Sequence, residues 1–451
     1  MPPHRQQTTE PAAPHLDYLR RLVAKEISNL TRHADQVLQW RPLPHDSGAL
    51  LHDVDGHHKR RLATGPLPNL DARKFDRSVV LLNGTLNHDL DIQSQLTSIR
   101  DKLGRGSRVV VVAYNPYLRG LYRLAHHLGL RQGEVPTCFV TATDLQNLAK
   151  LSGLEVVRTR PVGFFPLHLM GLGTAVNKLA SILPGVRRLG LVSVLVLRPT
   201  SGKWTKDRPS LSVVIPARNE RGNIEAAAKR LQPLARSLDL EVIFVEGHSE
   251  DGTWTEIQRV KKTYGRKLAI KARRQTGNGK ADAVRLGFAT ATKDLATILD
   301  ADLTVPPELL RRFYDAYCEG LGDFINGNRL AYPMEGEAMR FLNLLANVFF
   351  AKTLSAVLGT GLGDCLCGTK LLARRDCQRL AAWREKFGDF DPFGDFELLF
   401  PAAVLGLGVV DVPVRYRART YGSTQISRFK HGLELLRMTA LGFARILPGP
   451  G

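Results

Sequence analysis

The sequence predicts an α/β protein made of two successive parallel-sheet units. Three observations carry that expectation. Apolar runs of strand length alternate with segments of helical spacing, which is the pattern of parallel sheets covered by helices. The pattern runs from residue 75 to about Pro199 and starts afresh at Leu211. Between the two blocks lies a polar stretch, residues 200–209 (TSGKWTKDRP), with the composition of a linker. The expected boundaries are a lead and helix over 1–40, a first α/β unit over 41–199, a linker over 200–209 and a second α/β unit over 210–451.

The elements follow in order. Pro2, Pro3, Pro11 and Pro14 mark a loose lead, and a helix is expected around Leu16 to Leu38. Ser78 to Leu82 is a buried strand, Asp91 to Leu103 a helix, and Arg108 to Ala113 a second buried strand after a glycine turn. A helix at Asp144 to Ser152, then Gly153 and a strand at Glu155 to Arg158, complete the first block. The second block reads as four strand–helix repeats. Its strands are Leu211 to Ile215, Glu241 to Val245, Leu268 to Lys271 and Ala296 to Asp300; its helices begin at Asn223, Thr253 and Asp282. Such a doubly wound sheet binds ligands at the carboxyl ends of its strands, so the chemistry is sought there.

Composition narrows the function classes. Hydrophobic residues at 43% and charged residues at 24% match an ordinary globular chain, which excludes wholesale disorder and an integral membrane protein. The most apolar stretch, Phe341 to Gly359, is broken by Asn343, Asn347 and Lys352 and is not a spanning helix. A formal charge of +20 attracts polyanions: nucleic acid, anionic lipid head groups or diphosphates. No helix-turn-helix, zinc-finger or aromatic-basic signature accompanies the charge, so no nucleic-acid partner is expected. Cys138, Cys318, Cys365, Cys367 and Cys377 form no disulfide framework, and no cleavable signal precedes them, which fits a cytoplasmic location. Cys365 and Cys367 have no matching pair of ligands for structural zinc.

The expected fourth strand of the second block ends in Asp300-Ala301-Asp302. Carboxylates two apart on a strand point the same way and can reach one ligand. They suit Mg²⁺ or Mn²⁺, hard cations that take oxygen donors and keep open positions for substrate phosphates. Alone the motif is equally a solvated turn. Its setting adds weight, because the first strand runs into Pro216-Ala217-Arg218-Asn219-Glu220 and the second into Glu246-Gly247-His248-Ser249-Glu250-Asp251.

These residues, from about Leu211 to Arg437, resemble family 2 glycosyltransferases of the GT-A fold, in particular the dolichol-phosphate mannose synthase-like branch. The resemblance implies transfer of a hexosyl group from a nucleotide diphosphate sugar, with inversion, to a glycan or polyprenyl-phosphate acceptor. Pro216, Asn219, Glu220, Glu246, Gly279, Lys280 and Asp300 would line the nucleotide-sugar site, the last three with help from the glycine turn Gly277 to Ala281. Asp300 and Asp302 would hold the metal. Asn326 to Leu330 is similar to the branch's Gly-Ser-Arg-Tyr segment, which implies acceptor or phosphate contacts for Arg329 and, one helix on, Arg340. Asp364 to Lys370 and Phe390 to Glu397 resemble two further family elements, implying a phosphate role for Lys370 and a base among Asp364 and Asp395. An acceptor that is already an ionised phosphate needs no base. Arg415 to Gln425 resembles the mobile loop that closes over the phosphates, with Arg419, Gly422 and Thr424 at matching places. Gln425 stands where lysine is usual, Thr304 where a glutamine assists the metal, and Gly247 where a second acid is common.

The first block, at Phe75 to Val80, Leu86 to Asp91 and Leu103 to Val109, resembles the second half of class I S-adenosylmethionine methyltransferases. The whole chain thus looks like a bacterial fusion of a truncated, Rossmann-like methyltransferase domain with a GT-A transferase. The glycine-rich cofactor turn is missing, however. Val37 to Pro44 and a single Gly48 occupy its place, with Asp53 or Asp55 where a ribose-binding acid belongs. Side chains and proline there would collide with a cofactor, so S-adenosylmethionine binding is not expected. Two other readings remain at this level: a silent scaffold at the inner face of an anionic membrane, and residual methyl transfer.

Overall fold

The computed structural model describes residues 14–70, 76–131, 133–200, 208–332, 341–387, 394–417, 419, 421 and 428–447. The chain divides into two compact units, Met1–Pro199 with Arg445–Gly451, and Thr200–Ala444. Most of the linker, 201–207, lies outside the described residues, as do Arg340, Gly422 and Thr424.

The first unit contains α1 (Pro14–Thr31), β1 (Gln36–Trp40), α2 (Ala49–Asp53), β2 (Lys59–Leu62), β3 (Ser78–Asn83), α3 (Ile92–Arg100), β4 (Arg108–Tyr114), α4 (Arg119–His127), α5 (Ala142–Leu151), β5 (Leu154–Val162), α6 (Leu172–Ile182) and β6 (Val192–Pro199). Its sheet has the order β2-β1-β3-β4-β6-β5. The first four strands are parallel and β6 runs antiparallel to both its neighbours. Apolar clusters pack on both faces, which is why β3 and β4 read as continuous Val/Leu runs.

The first helix is shorter than expected. It ends at Thr31, and residues 36–40 form the fully buried strand β1. The glutamines disguise this strand as polar, but each side-chain nitrogen finds an acceptor. Gln36 Nε2 donates to Ser78 Oγ at 2.7 Å and Gln39 Nε2 to Asp46 Oδ2 at 2.7 Å.

The second unit contains β7 (Leu211–Ala217), α7 (Arg221–Ser237), β8 (Leu240–Glu246), α8 (Thr253–Tyr264), β9 (Ala269–Arg274), α9 (Gly279–Thr290), β10 (Leu295–Ile298), α10 (Leu310–Cys318), β11 (Phe324–Asn328), α11 (Phe341–Leu358), β12 (Lys370–Ala373), α12 (Arg374–Phe387), α13 (Phe396–Val404), β13 (Val409–Pro413) and α14 (Arg428–Ile446). The sheet order is β13-β11-β12-β10-β7-β8-β9. Strands β10, β7, β8 and β9 are parallel; β12 is antiparallel to β10 and β11, and β13 is parallel to β11. The carboxyl ends of β7, β8, β9, β10, β11 and β13 therefore share one edge. Among the described residues, no helix is long and apolar enough to cross a membrane.

Candidate active site

The shared edge is built by loops that lock one another. Asn219, after β7, has φ of 55°, a left-handed backbone that asparagine tolerates better than most residues. Its amide N–H donates to Ser249 Oγ at 3.0 Å, and its side-chain Oδ1 accepts from the Glu250 N–H at 2.9 Å. The Glu220 N–H donates to Thr253 Oγ1 at 3.0 Å, and Asn223 Nδ2 donates to Glu220 Oε2 at 2.6 Å. Glu246 ends β8 nearly buried, and its Oε1 accepts from the Ser249 N–H at 2.5 Å. Pro216 lies within β7, opposite Val245. The sequence-nominated residues Pro216, Asn219, Glu220 and Glu246 thus come together on adjoining loops.

Beyond β10 the chain carries Asp300 and Asp302. Lys280, in the first turn of α9, pairs with Asp300 Oδ1 at 2.5 Å. Gly279, just before it, has φ of 85°, a conformation that admits glycine at little cost. Burial would push the Asp300 carboxyl up, but the Lys280 ammonium outweighs it and holds the carboxyl below its ordinary value. Asp302 is paired as well, its Oδ2 lying 2.6 Å from Arg419 Nη2. Its Oδ1 accepts from the Thr304 N–H at 3.1 Å and hydroxyl at 2.8 Å. Glu220 stands near enough for its carboxyl to be raised, first by burial and then by the Asp302 charge. The outcome is an acidic centre already balanced by two cations.

The four charges nominated on the acceptor side, Arg329, Asp364, Lys370 and Asp395, form two ion pairs. Asp364 is fully buried, and Arg329 grips both its oxygens: Nε to Oδ2 at 2.7 Å and Nη2 to Oδ1 at 2.9 Å. The N–H groups of Arg329 and Leu366 donate to the same carboxylate at 3.1 and 2.9 Å. Burial would raise the pKa, but the guanidinium lowers it below the ordinary value. Both oxygens of Asp364 are thus engaged, and the carboxylate is the counterion of Arg329. Lys370 and Asp395 form a second buried pair, Nζ to Oδ1 at 2.6 Å, and Lys370 also donates to the Cys367 carbonyl. Lys370 is wholly buried, and Asp395 is its counterion.

Sequence reasoning missed two parts of this edge. A Cβ on Gly368 would stand 2.4 Å from both Asp300 Oδ2 and Lys280 Nζ, so this glycine gives the ion pair its room. The second part is a cleft of about 890 Å³ lined by Arg230, Pro306, Glu308, Leu309, Arg312, Tyr332, Arg415 and Arg417. It is tied to the loop after β10 by the Arg417 N–H, which donates to the Thr304 carbonyl at 2.9 Å. Glu308 is held by Arg230 through two hydrogen bonds of 2.8 and 2.7 Å, leaving a net positive lining. The basic run after β13 was read as a phosphate-closing loop, but its partners in the cleft, Arg230 and Arg312, carried no signal in the sequence.

Comparison with known proteins finds relatives of the second unit. The family model described as glycosyl transferase family 2 matches residues 212–380. A dolichyl-phosphate hexose transferase of Haloferax volcanii is 30% identical over 227 residues, which cover 50% of this chain and 90% of that protein. A dolichol-phosphate mannosyltransferase of Pyrococcus furiosus is 34% identical over 119 residues, 26% of this chain and 33% of that protein, so the match spans only a third of the relative's length. A solved glucosyl-3-phosphoglycerate synthase from Mycobacterium tuberculosis aligns with a TM-score of 0.39 at 17% identity, over 54% of this chain and 82% of that one. On the Haloferax match and the family model together, the chain belongs to glycosyl transferase family 2.

Proposed function

We propose that the second unit transfers a hexosyl group, with inversion, from a nucleotide diphosphate sugar to an acceptor phosphate of the polyprenyl type. The observation that carries this reading is the pair Asp300 and Asp302 at the carboxyl end of β10, each already matched by a cation, Lys280 and Arg419. In the reaction an acceptor oxygen bonds to the anomeric carbon while the bond from that carbon to the diphosphate breaks. The leaving diphosphate takes the electron pair. Lys280 and Arg419 are placed to receive that charge as charge-assisted hydrogen-bond donors.

Asp300 and Asp302 would hold Mg²⁺ or Mn²⁺; the donor set is all oxygen, and the remaining positions suit phosphate and water. Bound there, the metal would neutralise the diphosphate. An acceptor that is already ionised fits the finding that Asp364 and Asp395 are both committed to buried ion pairs. The arginine-lined cleft beside Thr304 offers that acceptor anion a site. The Haloferax dolichyl-phosphate hexose transferase and the Pyrococcus dolichol-phosphate mannosyltransferase point the same way.

The test is turnover of a nucleotide diphosphate sugar with and without Mn²⁺, comparing the wild type with Asp302→Ala. Metal-dependent turnover that the substitution abolishes supports the reading; equal, metal-independent turnover by the variant removes it. Adding a short polyprenyl phosphate or a neutral glycan then identifies the acceptor class.

For the first unit we propose a methyltransferase-like sheet that has lost its cofactor. In the region of the missing glycine turn, the Arg41 guanidinium stacks on the Trp40 ring at 4.6 Å, and Asp53 is tied to Arg20 at 2.7 Å. Calorimetry with S-adenosylmethionine should show no heat of binding.

A further inference from the structure

The helix α6 is docked inside out. Its inward side carries Gly173, Asn177, Ala180 and Ser181, while Leu172, Val176, Leu179 and Leu183 form a stripe facing solvent. The docking is firm all the same. Asn177 Oδ1 accepts from the N–H groups of Phe164 and Phe165 at 2.6 and 3.1 Å. Its Nδ2 donates to the carbonyls of Phe165 at 2.9 Å and Gly173 at 2.8 Å. Gly173 sits so close to its surroundings that a Cβ would lie 1.8 Å from the Leu167 carbonyl oxygen. The apolar side is therefore presented outward by construction.

The stripe is part of a larger surface. Of the twenty-three large apolar side chains exposed among the described residues, nine lie in 167–189 and five in 117–130. Met170 is completely exposed. The two segments are stitched together: Asn115 Nδ2 donates to the carbonyls of Arg188 and Gly190, both at 2.7 Å, and the Tyr122 hydroxyl to that of Leu191. The charge on both is of one sign. No acidic residue occurs between Asp101 and Glu134 or between Glu155 and Asp207, whereas Arg119, Arg123, Arg187 and Arg188 are exposed. Single exposed leucines need no explanation, but an apolar field of this extent marks an interaction site.

We propose that this surface of the first unit docks on an anionic lipid bilayer, with the leucine stripe entering the interface and the arginines meeting the head groups. An apolar helix face flanked by arginine, with no acid in either segment, matches the charge and polarity of such a surface. A protein partner would need no such uniform sign. The inference rests on the first unit alone and is independent of the glycosyltransfer reading.

The experiment is flotation of the full chain with vesicles of phosphatidylcholine, with and without phosphatidylglycerol. The wild type should float with the anionic vesicles and lose binding as salt rises. Arg187→Gln/Arg188→Gln should weaken binding by about fivefold for each basic side chain removed. Leu172→Glu/Leu179→Glu should abolish it, and Leu90→Glu, on an exposed leucine outside the two segments, should leave it intact. Absence of wild-type binding, equal binding to neutral vesicles, or full binding by the leucine variant would each overturn the proposal. So would a wild-type dimer that Leu172→Glu/Leu179→Glu turns into a monomer, because a second copy would then be the occupant. Donor turnover, read on the same samples, separates this outcome from failure of the enzymatic reading.

Discussion

Replacing Asp364 by asparagine distinguishes an anchor from a catalytic base. The substitution keeps the shape of the side chain but leaves the Arg329 guanidinium, only 12% exposed, without its counterion. Breaking a buried ion pair from one side costs about 3–5 kcal/mol. For a unit of this size, about 2–4 °C of Tm per kcal/mol gives a fall of roughly 6–20 °C. The pH dependence follows from the lowered pKa. A carboxylate whose folded pKa lies below its unfolded value contributes stability that is present above the unfolded value, about 3.9, and is lost as the pH falls through the folded one. The wild-type advantage over Asp364→Asn should therefore be complete near neutral pH and shrink in acid. The assay is thermal melting by circular dichroism across that range, alongside donor turnover at a permissive temperature. Replacing both partners, as Asp364→Leu/Arg329→Met, should recover much of the lost stability, because the desolvation of two charges is removed together. An unchanged Tm with turnover lost, and with the acidic limb of its pH profile gone, would refute the anchor and restore the base.

Two further outcomes are expected. Gly368→Ala places a methyl group against Asp300 Oδ2 and Lys280 Nζ; both are the ends of flexible side chains that can swing aside, so Tm should change little while donor turnover falls at least tenfold. The buried Cys365 and Cys367 thiols, both pushed up to about 12 by burial, should resist a thiol reagent in the native protein at pH 8 and react once it is denatured.

The second unit was legible because its local signals agree with its topology. Three buried strands and an edge strand end in polar loops, and the acidic pair falls where a parallel sheet gathers its ligands. The strand β1 was not legible, because its two glutamines find partners outside the strand, on Asp46 and, forty-two residues on, Ser78. Ion-pair partners were hidden for the same reason. Asp364 and Arg329 are thirty-five residues apart, and sequence shows a carboxylate near a site without showing that a guanidinium has already claimed it. The inside-out helix was illegible for a different reason. Hydrophobic spacing says which side of a helix is apolar and assumes that this side faces the core. In α6 one amide and one glycine decide otherwise.

That choice separates two properties that ordinary helices bind together. On most amphipathic helices the residues that make the protein adhesive are also those that hold it up, so evolution cannot alter one without the other. Here adhesion and architecture occupy opposite sides of the same eleven residues. The outward positions can drift towards stickier or cleaner chemistry with the sheet beneath undisturbed, and a lineage could gain or shed this adhesive coat by a handful of point changes.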